Sequence, residues 1–312
     1  MLWRKVTVSI FILKMLSGCQ NSPETMLKET THKFSVLTYN VKGLPDGITE
    51  SDTENNMRLI GELLNSYDIA VVQEDFAYHP QLISKATHEF KSTPKGSAGP
   101  VDFGDGLNHL SKYEFRSLQR VEWDTCSNAE AADCLATKGF SVAELLFGNV
   151  SLDLYNLHMD AGSAGPDIRT RQVQIAQLID AIKTRSAGKA IIVAGDFNLD
   201  IENREQDLEM FERLLRETSL NDACEVNSCR TELVDRILFR DTEATILTCD
   251  SWKTDPTFVD GMGKNLSDHL AVAVTFTFQP RSSSASAFSA TSVKQFLSTA
   301  LESTISSGKS TI

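Results

Sequence analysis

The sequence predicts an α/β domain in which two β-sheets pack face to face with helices on the outside. Three observations lead there. The run Ala190-Ile191-Ile192-Val193-Ala194 is apolar and β-branched, as in a strand buried on both faces. Residues 168–183 follow a helical period, with Val173, Ile175, Ala176, Leu178, Ile179 and Ile182 on the apolar side, so a helix feeds that strand. Residues 140–147 and 151–158 read as strands with only Gly148-Asn149 as the turn between them, which makes a tight antiparallel hairpin. Helix-linked and hairpin-linked strands together call for mixed sheets.

The other elements follow in order. Residues 34–40 alternate like a strand that ends at Asn40, 57–64 have helical periodicity, and 68–73 form a second buried strand ending at Glu74. Residues 79–90 read as a helix that His79-Pro80 begins, and 91–108, rich in Gly, Pro, Ser and Asp, as a loop. Residues 116–123 add a strand ahead of the hairpin. After 190–194 come a helix over 205–217 and strands over 234–239, 244–252 and 270–278. No internal boundary divides the body, so residues 33–279 are taken as one domain. Two similar halves are compatible with this order, although no repeat is visible.

With 312 residues, 41% of them hydrophobic, the chain can bury a sizeable core. Its net charge of −12 argues against tight, unspecific binding of nucleic acid through phosphate contacts. Residues 1–19 read as an export signal: Arg4 and Lys5 precede a short apolar stretch that is too short to span a bilayer. The stretch ends in Leu16-Ser17-Gly18-Cys19, which resembles the lipobox of bacterial lipoproteins and implies lipid attachment at Cys19. Residues 20–32 are then a tether. The expected location is the bacterial cell envelope as a membrane-anchored lipoprotein, with plain secretion as the alternative. Export permits disulfides, and the short spacings predict Cys126–Cys134 and Cys224–Cys229, leaving Cys249 as a buried thiol in a strand. Residues 280–312 read as a Ser-rich linker and a short amphipathic tail.

Polar residues recur at strand ends, where an α/β scaffold converges side chains on one cleft. They are Asn40, Glu74, His158 with Asp160, Asp196 with Asn198, Asp235, and Asp268-His269. Arg169 and Arg171 read as a solvated helix face, and His32, His88 and His109 lack a comparable setting.

The order of these segments resembles the endonuclease/exonuclease/phosphatase superfamily. The matching segments are Leu37-Thr38-Tyr39-Asn40-Val41, Val71-Val72-Gln73-Glu74, Gly106-Leu107 with Leu110-Ser111-Lys112-Tyr113, Asn156-Leu157-His158-Met159-Asp160, Gly195-Asp196-Phe197-Asn198, Val234-Asp235-Arg236-Ile237 and Leu266-Ser267-Asp268-His269-Leu270. The resemblance spans residues 34–278 and implies a four-layer α/β/β/α sandwich and Mg²⁺-dependent phosphodiester hydrolysis, with Mn²⁺ or Ca²⁺ as alternative ions. It implies Glu74 as the principal metal ligand with Asn40 and Asp268 beside it, and His269 as general base held by Asp235. Asp196 would orient the attacking water or His269, and Asn198 and His158 would hold the phosphate. Asp160 would stand behind His158 or cap the next loop. These residue types suit the reaction, which must activate water, neutralise phosphoryl oxygens and assist the leaving oxygen.

Leu37-Thr38-Tyr39-Asn40-Val41-Lys42-Gly43-Leu44-Pro45 looks most like the sphingomyelinase branch. The expected substrate is therefore a phosphodiester, a phospholipid ahead of a nucleic acid, cut by a monomer held at the membrane through lipidated Cys19. A secreted nuclease, a phosphomonoesterase and a non-catalytic binding lipoprotein are the alternatives. The last expects at least one of Glu74, Asp196, Asp268 or His269 to be missing, and all four are present.

Overall fold

The computed structural model describes residues 30–45, 52–96, 103–229 and 233–281. The expected signal segment 1–19 with Cys19, the tether up to residue 29 and the tail from 282 lie outside the described residues.

The first half contributes β1 (His32–Asn40), α1 (Thr53–Leu63), β2 (Ile69–Gln73), α2 (His79–Lys85), β3 (Phe90–Lys91) and β4 (Asn108–Ser111). The second contributes β5 (Phe115–Glu122), β6 (Gly139–Phe147), β7 (Val150–His158), α3 (Gly165–Arg185), β8 (Ile191–Asp196) and α4 (Glu205–Thr218). Then follow β9 (Asn221–Asp222), α5 (Ala223–Val226), β10 (Asp235–Arg240), β11 (Thr245–Asp255) and β12 (Ala271–Pro280).

One six-stranded sheet has the order β11-β12-β1-β2-β4-β3 and the other β5-β6-β7-β8-β10-β9. Each is built on one central parallel pair, β1 with β2 and β7 with β8, and all its other pairings are antiparallel. A helix links each parallel pair, α1 in the first sheet and α3 in the second. The two sheets thus share one strand arrangement, although the first is completed by β11 and β12 from the far end of the domain.

Three apolar clusters define four layers. Phe34, Val36, Val71, Leu154, Ile192 and Val274 pack between the sheets. Leu37, Tyr39, Met57 and Ile60 join the first sheet to α1, and Tyr155, Leu157, Ile175, Leu178 and Phe211 join the second to α3 and α4. Near the ends of the parallel pairs the filling turns polar. Gln73 Nε2 donates to Asn156 Oδ1 at 2.7 Å, and Asn156 Nδ2 donates to the carbonyls of Val72 and Asn108 at 2.9 and 3.1 Å. These bonds satisfy buried groups and fix one sheet on the other.

Several boundaries differ from expectation. The helix expected over 57–64 begins at Thr53 because the Asp52 side chain caps Asn55 N–H. The helix expected to reach residue 90 stops at Lys85, where Ala86 turns extended. β4 was hidden because three of its four residues, Asn108, His109 and Ser111, are polar yet buried like Leu110 between them, so no apolar alternation marks the strand. Val173, expected on the apolar side of α3, is exposed. β12 runs through Pro280, so the domain ends beyond the expected boundary. Both disulfides pair as expected, and Cys249 is a partly buried thiol on β11.

Candidate active site

Strand direction gathers the site. β1 and β2 run parallel and end together at Asn40 and Gln73, with Glu74 next. β7 and β8 likewise end at His158 and Asp196. β10 is antiparallel to β8 and begins at Asp235, opposite Asp196. β12 is antiparallel to β1, so Asp268 and His269, just before its start, return to the end of β1.

The backbone there is unusual. Gly195 has φ +150°, and a Cβ on it would lie 2.1 Å from the Leu157 carbonyl oxygen, so only glycine lets β8 approach β7 this closely. Glu74 and Asn198 have φ +57° and +50°, a left-handed conformation costly for residues with a Cβ.

The side chains form one connected set. Asn40 Nδ2 donates to Glu74 Oε1 at 2.9 Å and to Asp196 Oδ2 at 3.1 Å. Asp196 Oδ2 lies 3.4 Å from His158 Nε2 and 3.7 Å from His269 Nε2. His269 Nδ1 is 2.7 Å from Asp235 Oδ2, which fixes the ring and leaves Nε2 directed at Asp196. Asn198 N–H donates to Asp196 Oδ1 at 3.0 Å, and its Nδ2 donates to the Met159 carbonyl at 2.9 Å. Ser267 Oγ donates to the Asn40 carbonyl at 2.8 Å and ties the Asp268-His269 segment to β1.

The electrostatics follow from burial and crowded carboxylates. Burial raises Glu74 above the usual carboxylate range. Burial, abetted by Asp196, raises Asp235 to about 6. For His269, burial disfavours the imidazolium, but Asp235, Asp196 and Asp268 outweigh it and raise the ring to about 10. For His158, burial together with the positive charges of Lys138 and His269 pushes the ring well below its usual value, so it is neutral. Burial also opposes the Asp268 charge, but Lys42, with Nζ 2.6 Å from Oδ2, overcomes it and holds that carboxyl low.

Asn40 Oδ1 accepts the Lys42 N–H at 3.1 Å, and its nitrogen faces the carboxylates of Glu74 and Asp196. One expectation changes. Arg171 is fully buried, with Nη1 donating to the Asp160 and Gly162 carbonyls at 3.0 and 2.8 Å and Nη2 3.3 Å from Asp207 Oδ1. Only Arg169 is exposed as expected. Asp160 caps the neighbouring loop, accepting from Ser127 N–H at 2.5 Å and Gln174 Nε2 at 2.7 Å.

Lys138 was not anticipated. Its Nζ is 3.0 Å from His158 Nε2 and forms an ion pair with Asp133. The hairpin could have revealed it. The pairing of Phe140 with Leu157, extended past the strand end, sets Lys138 beside the residues that follow β7. Lys138, Glu74, His158, Asp196, Asn198 and His269 line a cleft of about 320 Å³. Its opposite wall is apolar and includes Leu44, Phe76, Phe103 and Leu135.

The donor set suits a hard cation. Glu74, Asp196, Asp235 and Asp268 supply oxygen alone, the chemistry of Mg²⁺, Mn²⁺ or Ca²⁺. One ligand atom each from Asp196, Asp235 and His269 also falls within 4.8 Å of the others. The Asp235–His269 hydrogen bond already accounts for that spacing, so the carboxylates around Glu74 are the better fit.

Residues 37–269 match the Endonuclease/Exonuclease/phosphatase family. A sphingomyelinase of Mycobacterium tuberculosis is 35% identical over 270 residues, covering 78% of this chain and 53% of the relative. The chain thus spans about half the length of the curated relatives it matches. Beta toxin from Staphylococcus aureus, solved with bound magnesium ions, superimposes with a TM-score of 0.58 at 14% identity, over 78% of this chain and 99% of the toxin. TDP2 from D. rerio, solved with a single-strand DNA product, gives 0.58 at 20% identity, over 78% and 98% of the two chains. These two likenesses support the sandwich fold.

Proposed function

Since the chain belongs to the endonuclease/exonuclease/phosphatase family, we propose that it is a Mg²⁺-dependent phosphodiesterase of the sphingomyelinase type. One observation carries this reading: the Asp235–His269 pair and Glu74 are joined through Asp196 and Asn40 at the floor of a single cleft.

Glu74 would hold the cation, with Asp268 as a further carboxylate. Bound there, Mg²⁺ polarises a phosphoryl oxygen and offsets carboxylate charge. His269 Nε2 takes the proton of the attacking water, and Asp235 stabilises the imidazolium that results. Asp196 accepts a hydrogen bond from that water and aligns it for attack at phosphorus; as the P–O bond to the leaving alcohol breaks, the alcohol's oxygen takes a proton from solvent. Asn198 and Lys138 meet the phosphoryl oxygens, and neutral His158 keeps Lys138 in place through Nε2. The apolar wall with Phe76, Phe103 and Leu135 suits a lipid phosphodiester better than a polyanionic nucleic acid, as does the acidic body.

The decisive assay offers sphingomyelin vesicles, plasmid DNA and inositol phosphates side by side with Mg²⁺. Hydrolysis of sphingomyelin is expected to dominate and to stop with EDTA. Preference for DNA, or activity that EDTA does not touch, would overturn the reading. We further propose that lipidated Cys19 holds the protein at the cell envelope. Cys19→Ala should then shift it from the membrane fraction to the soluble one, and an unchanged distribution would refute the anchor.

A further inference from the structure

Glu74 carries its carboxylate on a left-handed backbone, φ +57°, which an L-residue holds only when its surroundings enforce it. The carbonyl of Glu74 accepts from Gly43 N–H and Phe76 N–H, both at 2.9 Å. A Cβ on Gly43 would lie 2.6 Å from that carbonyl oxygen, so glycine is needed for the first of these bonds. The residue after Glu74 is anchored more firmly. Asp75 N–H donates to the Gly106 carbonyl at 3.0 Å, and its side chain is wholly buried. Asp75 Oδ2 accepts from Asn108 Nδ2 at 2.8 Å and sits 2.6 Å from His79 Nδ1.

Both partners are themselves fixed. Asn108 Oδ1 accepts from Ser92 Oγ at 2.8 Å and from Arg120 Nη2 at 3.2 Å. His79 opens α2, with Pro80 setting the first turn. Nothing in the mechanism uses this cluster, yet it keeps a carboxylate fully out of water, a costly arrangement that calls for a compensating role.

We propose that Asp75, held by His79 and Asn108, is a positioning residue that locks Glu74 in its left-handed conformation and so sets the affinity of the site for its divalent cation. The proposal rests on the reading of Glu74 as the cation's carboxylate. Without the anchor, the chain at Glu74 relaxes to an ordinary backbone region and its carboxylate leaves Asn40.

Titration calorimetry with Mg²⁺ tests this on wild type, Asp75→Ala, Asp75→Asn and His79→Ala, with thermal melts in EDTA to confirm folding. Asp75→Ala should raise the Mg²⁺ Kd about 10–100-fold, the usual cost of losing a group that orients a metal ligand. Asp75→Asn keeps an acceptor for both donors and should recover part of the loss. His79→Ala removes one donor and should fall between them. Added Mg²⁺ should restore most of the lost hydrolysis. Kd values within twofold of wild type in the folded variants would overturn the proposal, as would a rate loss that Mg²⁺ does not rescue. Should Asp75→Ala not fold, an unchanged Kd in both Asp75→Asn and His79→Ala overturns it equally. Failure of wild type to bind Mg²⁺ would overturn the reading of Glu74 and this inference with it, whereas equal Kd values overturn only the inference.

Discussion

His269→Ala is expected to lower kcat for Mg²⁺-supported phosphodiester hydrolysis about 10²–10⁴-fold, the span of a lost general base. The fold should survive. Asp235, which loses its partner, already has its carboxyl raised to about 6 by burial, so it can protonate where it stands. The pH profile is the sharper readout. A base works only when neutral, and the surrounding carboxylates hold the His269 ring at about 10 without a cation. Activity should therefore rise with pH along a limb that belongs to His269. Because Mg²⁺ offsets the carboxylates, more Mg²⁺ should move that limb to lower pH. His269→Ala should abolish the limb, and Asp235→Asn should shift it downward by removing the charge that most favours the imidazolium. A limb that persists unchanged in His269→Ala would assign the base elsewhere.

Lys138→Met should lower kcat about 10²–10³-fold, as expected for a lost charged donor aimed at phosphoryl oxygens. Methionine keeps the length of the stem and removes only the ammonium. Asp133 retains a partner, since its Oδ2 accepts the Ala161 N–H at 2.9 Å. The substitution also relieves His158 of one of the positive charges that depress it. An NMR titration should show the His158 ring binding its proton at higher pH than in wild type. Wild-type turnover combined with an unmoved His158 titration would show that Lys138 has no part in the site.

Much of this was legible because apolar pattern and strand direction are local properties. Residues 190–194 declare a buried strand by themselves, and Gly148-Asn149 declares the hairpin. The polar residues at strand ends then had to converge, because parallel neighbours end on one side and antiparallel partners begin there. What escaped depends on contacts between distant segments. β4 is mostly polar in sequence because His109 reaches Ser141 on the other sheet and Asn108 holds Asp75 and Ser92. Arg169 and Arg171 were read as one face, yet residues two apart on a helix point to different sides. The Asn40 amide could not be oriented without knowing that the Lys42 N–H takes its oxygen.

The pairing of β1 with β12 joins the two ends of the described fold, with His32 opposite Phe278. That closure imposes a timetable. A chain released from its N-terminus can build β1, β2 and their helices early, but β1 stays open along one edge until residues 271–280 arrive. Long-range pairing of this kind comes late and slowly. The proposed base sits two residues before that final strand, so the candidate site is incomplete until β12 has paired with β1.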